Sequence, residues 1–195
     1  MKYNELRQLK KKLFFTVDEV SYIFKINSSS ARVLCSRYVK KGIFIRVKNN
    51  FYILRDKWET LSLYDFLKVA NFLQVPSYVS FMTALAFYEI TTQVQRYFFE
   101  SACVRRSISL NAEWATFNFY KLKKEFYFGF IKRDDIFIAL PEKAFVDSVY
   151  LYSFGKYKVD FNSLNIDKLD NRRIKKIIEE YPLKTKTIIS RLCRI

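Results

Sequence analysis

The side chains best suited to chemistry in this sequence are basic and small hydroxylated ones gathered between residues 28 and 50. Ser28, Ser29, Arg32, Ser36, Arg37, Lys40 and Lys41 fall within one short stretch, and Arg46, Lys48, Asn49 and Asn50 follow closely. On a helix, Ser29, Val33, Ser36, Arg37 and Lys40 share one side, with Arg32 at its flank. Ala31, Leu34, Cys35 and Tyr38, spaced i, i+3, i+4, i+7, form an apolar stripe opposite them. Small hydroxyls let a helix backbone approach a groove, and guanidinium groups reach base edges or phosphates. The pattern predicts a contact with double-stranded DNA rather than a reaction centre.

Reaction centres are hard to assemble from the remaining residues. The chain has no histidine, which removes the commonest general base, the Ser-His and Cys-His dyads, and most zinc and non-haem iron sites. Asp134 and Asp135 are neighbours in an expected turn, so their carboxylates diverge. Glu142-Lys143 matches a nuclease Glu-x-Lys motif only loosely, because the lysine is one residue too close. Glycines stand only at 42, 129 and 155 and cannot form a phosphate-cradling loop. Cys35, Cys103 and Cys193 are scattered with no Cys-x-x-Cys pair, as expected of buried or bystander thiols in a reducing compartment. No catalytic residue, metal or cofactor is expected. An enzyme using lysine or carboxylate chemistry stays as an alternative class without a coherent motif.

The elements that must position the basic residues are legible from local signals. Thr16-Val17-Asp18-Glu19 is a capping box, and Val17, Val20, Ile23 and Phe24 continue it at helical spacing to about Phe24. Lys25-Ile26-Asn27 forms a tight turn, with Asn27 or Ser28 capping a second helix that runs to Lys41 and stops at Gly42. Ile43–Lys48 and Phe51–Leu54 read as strands joined at Asn49-Asn50, since Asn tolerates positive φ. With a preceding helix over residues 3–12, this order predicts a winged helix-turn-helix over 1–56, the hairpin serving as the wing. A solvated basic helix in a small helical domain is the alternative.

Beyond it, Asp56 to Leu73 reads as a helix, so that residues 57–75 connect the two parts, and Pro76 opens a further helix over Ser80–Tyr88. Extended segments follow at about 97–104, 106–110, 115–121, 126–131 and 135–139. Pro141 starts a helix through Tyr152, and two more helices, about 167–180 and 184–193, are split by Pro182. The expected class is α+β: a winged helix followed by a mixed α/β domain over 76–195, with an antiparallel sheet and a helical tail.

Placement of charge agrees with this division. The 195 residues carry a formal charge of +16. Residues 1–60 hold 14 Lys and Arg against 5 Asp and Glu, a net of +9; residues 61–155 net only +1, and residues 156–195 net +6. Compositional drift toward lysine would have spread the surplus evenly; its concentration favours an anionic partner for the N-terminal part. Half the residues are hydrophobic, enough to build a core. No stretch approaches the ~18–20 apolar residues of a membrane span, and the N-terminus is polar, so a cytoplasmic location without membrane contact is expected.

Two segments also carry a family resemblance. Val75-Pro76-Ser77-Tyr78-Val79-Ser80 with Ala84-Leu85-Ala86-Phe87-Tyr88, and Phe128-Gly129-Phe130 with Ile138-Ala139-Leu140-Pro141-Glu142-Lys143-Ala144-Phe145-Val146-Asp147, resemble stretches of the AbiEi-type antitoxins of abortive-infection toxin–antitoxin systems. The resemblance spans about residues 15–152, and Arg105-Arg106 fits it. Glu89 stands where that family usually has Gly, and the last 40 residues match only as a helical tail. The resemblance implies a bacterial transcriptional repressor, with two copies binding inverted or repeated operator sites of its own operon. It also implies a second domain that counteracts a cognate nucleotidyltransferase-like toxin without a stable complex, the type IV arrangement. Arg105, Arg106 and Lys143 are the candidates for that antitoxicity. A winged-helix regulator whose second domain senses a ligand or mediates dimerisation is the alternative.

Overall fold

The computed structural model describes residues 3–93 and 95–195. The chain is mixed α+β and divides into two compact units. One comprises Met1–Val69 with Leu110–Thr116, the other Ala70–Ser109 with Phe117–Ile195.

The first unit runs α1 (Tyr3–Lys10), α2 (Val17–Phe24), α3 (Ser28–Lys40), β1 (Phe44–Lys48), β2 (Phe51–Leu54) and α4 (Arg55–Trp58), and then enters α5 (Leu63–Leu73). Thr16 and Glu19 complete the capping box of α2, the Glu19 carboxylate accepting from the Thr16 N–H at 2.8 Å. Lys25 closes α2 in the left-handed conformation, and Asn27 Oδ1 caps α3 by accepting from the Ser30 N–H at 2.7 Å. Gly42, at φ +70°, turns the chain into β1. One pairing adds to the sequence reading: Phe15, between α1 and α2, exchanges two backbone hydrogen bonds of 2.9 Å with Tyr52. That bridge lays the interhelical segment against β2, which is thereby flanked by Phe15 on one side and β1 on the other. Leu9, Phe15, Val20, Phe24, Ala31, Cys35, Phe44 and Tyr52 close the core beneath it.

The expected single helix over Asp56–Leu73 is two. Ser62 and Asp65 form a second reciprocal cap, the Ser62 N–H donating to the Asp65 carboxylate and the Asp65 N–H to Ser62 Oγ. This restarts the helix after Trp58, which is itself buried against Phe66 and Trp114. The division between the two units falls inside α5, after Val69.

The second unit continues with β3 (Ser77–Val79), α6 (Phe81–Phe87), β4 (Phe98–Cys103), β5 (Ile108–Ala112), β6 (Ala115–Lys121), β7 (Phe130–Arg133), β8 (Ile136–Ala139), α7 (Pro141–Ser153), α8 (Asn171–Ile178) and α9 (Leu183–Cys193). The tip of the β5–β6 segment, Leu110–Thr116, is counted with the first unit. The sheet order is β5-β6-β4-β3-β8-β7. β3–β4 and β7–β8 are antiparallel, but β3–β8 is parallel, with Val79 opposite Ile138. The sheet is therefore mixed, not antiparallel as expected: β3 reaches β8 through a long crossover, which permits parallel pairing. Pro76 leads into this buried strand instead of opening a helix. The strand expected over 126–131 begins only at Phe130: Lys124–Phe126 form a 3-10 turn, and Gly129 at φ +73° turns the chain into β7. α8 starts at Asn171, where Asp170 accepts from the Arg172 N–H, rather than at 167. Glu89 holds φ +55°. The cysteines are free and buried, as expected. Among the described residues no helix is long and apolar enough to cross a membrane.

Candidate nucleic-acid interface

The basic and hydroxylated candidates of the first unit come from α3 and the β1–β2 hairpin. α3 buries Ala31 and Cys35 and half-buries Leu34 and Tyr38, so the apolar stripe faces the core as its spacing requires. Ser28, Ser29, Arg32, Ser36, Arg37, Lys40 and, at the C-cap, Lys41 are all exposed. On the hairpin, Arg46 pairs across the ladder with Tyr52 and projects to solvent.

Arg32, Ser36 and Lys40 from α3 and Arg46, Asn49 and Asn50 from the hairpin line one cleft of about 620 Å³. Helix and hairpin thus present cations to the same concavity. Asp18 also lines it, an acid absent from the sequence expectation and contributed by the first turn of α2. Tyr52 forms part of the wall. Burial pushes its phenol above the ordinary value, Cys35 adds to this, and Arg46 and Arg32 oppose it. Ser28, Ser29, Arg37, Lys41 and Lys48 do not line the cleft.

Two hairpin residues have structural duties beside any contact with a ligand. Asn50, at φ +56°, accepts the Val17 N–H on Oδ1 at 2.8 Å, tying the hairpin tip to the start of α2. Lys48 is half-buried, its ammonium 5.7 Å from the centre of the Phe51 ring. Glu19 holds the neighbouring edge. Burial raises its carboxyl, but Lys12 at 2.7 Å and the Thr16 N–H outweigh burial and leave it below the usual carboxylate range.

The second group of candidates, in the other unit, separates into two kinds. Arg105 and Arg106 are exposed in the turn after β4. The backbone of that turn is fixed by Gln74 Nε2 and Cys103 Sγ, both donating to the Arg106 carbonyl. Lys143 is fully buried, so it cannot share a surface with them. Its ammonium pairs with the Asp147 carboxylate one turn along α7 and donates to the Tyr78 hydroxyl at 2.9 Å. Asp147 accepts further from Tyr78 at 2.9 Å, Ser80 at 2.8 Å and Tyr181 at 3.4 Å. Burial drives the Lys143 pKa down and the Asp147 pKa up, and their mutual attraction opposes both shifts.

Gly129 completes this packing. A Cβ there would meet the Lys143 side chain at 3.0 Å, and Phe128 lies under the ammonium with its ring centre 5.2 Å away. The Pro-Ser-Tyr, Phe-Gly-Phe and Pro-Glu-Lys-Ala segments therefore meet at one buried ion pair. Glu142, in the first turn of α7, is also buried, and Oε1 accepts from the Asp170 N–H at 3.3 Å. Among the described residues no group of three or more Cys, Asp or Glu is placed to hold a metal ion. No protein-family model matches the chain, and no curated protein matches its sequence.

Proposed function

We propose that the protein is a DNA-binding transcriptional autoregulator whose first unit is a winged helix-turn-helix, with α3 in the major groove and the hairpin as wing. The observation that carries this reading is the cleft where Arg32, Lys40 and Arg46 converge from two elements. Phosphates fix the register of a duplex, and cations from both walls of a concavity are suited to grip them. The Phe15–Tyr52 bridge supports the reading, because it seats the hairpin beside the helices as a wing must be seated. A unit of this size covers one half-site, so two copies act on inverted or repeated sequences.

The same proposal assigns the second unit to opposing a cognate nucleotidyltransferase-like toxin in the bacterial cytoplasm, without a stable complex. This half rests on the resemblance to AbiEi-type antitoxins. With Lys143 buried, Arg105 and Arg106 are the exposed candidates for it. The test is a footprint on the DNA upstream of the protein's own gene, joined to a rescue assay in cells expressing the neighbouring toxin. Paired footprints are expected. Arg32→Ala with Lys40→Ala and Arg46→Ala should abolish them and leave rescue intact, whereas Arg105→Ala with Arg106→Ala should do the reverse. A single unpaired footprint of full affinity, or loss of both functions together in folded variants, overturns the assignment.

A further inference from the structure

The second unit holds a basic, aromatic cleft that the proposed function leaves unused. It encloses about 380 Å³ where the end of β6, the end of α7 and the start of the tail meet. Leu122, Tyr150, Leu151 and Pro182 give it apolar walls, and Lys121, Lys123 and Lys156 also line it. Phe154 lines it too and remains 47% exposed, with Tyr150 edge-on at 5.4 Å and the Lys184 ammonium 5.8 Å from its ring centre. Lys123 is paired with Glu125 at 3.4 Å, but neither Lys121 nor Lys156 has a carboxylate partner among the described residues.

An exposed phenyl ring in a cleft edged by unpaired ammonium groups fits a ligand that is flat and apolar in one part and anionic in another. The basic edge does not end there. Lys156 also lines a neighbouring cleft of about 440 Å³, which adds Lys158 and the rings of Tyr120 and Tyr157. Two carboxylates line that second cleft: Glu100 is 2% exposed and accepts from the Tyr157 and Tyr120 hydroxyls, so it lies beneath the surface, whereas Asp160 is exposed and accepts from Gln93 Nε2 at 3.2 Å. Two adjoining clefts, each with aromatic rings and joined by a shared lysine, match the repeat of base and phosphate along a strand. Stacking platforms bordered by a positive groove are how single strands are held without sequence preference.

We propose that this surface binds single-stranded nucleic acid, with a base lodged against Phe154 and the flanking phosphates on Lys121 and Lys156. The inference is independent of duplex recognition by the first unit.

The test uses the full chain carrying Arg32→Ala, Arg37→Ala and Lys40→Ala, so that the first unit contributes little. The probes are fluorescein-labelled 12-nucleotide single strands of mixed sequence, one DNA and one RNA, with AMP as competitor. Phe154→Ala should weaken binding between about 5- and 150-fold, the range for one stacked base. Lys121→Ala with Lys156→Ala should flatten the salt dependence by about 1.4 in log–log slope, at ~0.7 per phosphate on a single strand. Lys175→Ala with Lys176→Ala removes the same charge from the exposed face of α8 and should change affinity less than twofold. Stronger binding of the RNA or of the DNA identifies the natural strand, and either result supports the site. The proposal is overturned if neither strand binds, if the α8 variant weakens binding as much as the cleft variant, or if AMP displaces the probe as well as an unlabelled strand does. All these side chains are exposed, and an unchanged thermal melt certifies that each variant is folded.

Discussion

Replacing Glu100 by glutamine should change how stability depends on pH, and the sign and size follow from its surroundings. Glu100 lies in β4 and is almost fully buried, and burial lifts its pKa from an ordinary 4.5 to about 7. The hydroxyl of Tyr157 at 2.7 Å, the Met82 N–H at 3.1 Å and the hydroxyl of Tyr120 at 3.4 Å oppose that rise without cancelling it. The folded protein therefore binds this proton more tightly than the unfolded chain does. Below 4.5 both states are protonated and the group is neutral with respect to stability. As pH rises from 4.5 toward 7 the unfolded state ionises first, so stability falls, and above about 7 to 8 the loss is complete. At ~1.36 kcal/mol per pH unit the full loss is about 3 kcal/mol, of which roughly 2–3 kcal/mol accrues between pH 5 and pH 8. Urea denaturation of the parent and of Glu100→Gln at those two pH values isolates this group, since every other titration is common to both chains. The variant should gain about 2–3 kcal/mol on the parent from pH 5 to pH 8. A gap that stays constant, or that moves in favour of the parent, refutes the reasoning.

Other consequences can be measured alongside. Lys143→Ala strands the Asp147 carboxylate in a fully buried site, so chemical denaturation should show a loss of about 3–5 kcal/mol, while Lys143→Met with Asp147→Leu should recover only part of it, because the buried Tyr78 and Ser80 hydroxyls then lose their acceptor. Asn50→Ala removes the acceptor for the Val17 N–H and puts a Cβ-bearing residue with no local hydrogen bond at φ +56°. It should cost about 1–2 kcal/mol in urea melts, whereas Asn50→Gly should cost about 1 kcal/mol, from the hydrogen bond alone. Glu89→Gly relieves a left-handed residue at φ +55° and should raise stability by about 0.5–1 kcal/mol, the ~1–2 kcal/mol of relief exceeding the entropy of the added glycine.

What the sequence discloses and what it conceals divide along the range of the interactions involved. The capping box at Thr16, the Asn27 cap and the Gly42 stop are local, so α2, α3 and the hairpin stand where their residues predict. The second start at Ser62 was equally local, written in Ser62-x-x-Asp65, and is readable once the carboxylate is allowed in place of Glu or Gln. Tertiary choices were not readable. Lys143 and Asp147 at i, i+4 look like a surface ion pair on a helix. Only the apolar residues on every side of α7, Ala144, Phe145, Val146 and Val149 among them, signal that the pair is enclosed. The partners that make enclosure tolerable, Tyr78 and Ser80, lie 69 and 67 residues from Asp147. The parallel pairing of β3 with β8 and the Phe15–Tyr52 bridge are likewise long-range pairings with no local signature. For the candidate interface, the sequence supplied the cations. It did not separate Arg32, Lys40 and Arg46, which share the cleft, from Arg37 and Lys41, which lie outside its lining, nor did it place Asp18 there.

The central claim is that α3 and the hairpin grip duplex DNA together. Its most direct test is the salt dependence of binding to the duplex upstream of the protein's own gene, measured for the parent and for Arg32→Ala with Lys40→Ala and Arg46→Ala. If these three cleft residues each neutralise a phosphate, the log–log slope should flatten by about 2.7, at ~0.9 per contact on B-DNA, with weaker binding throughout. An unchanged slope and affinity in a variant that melts like the parent would contradict the account.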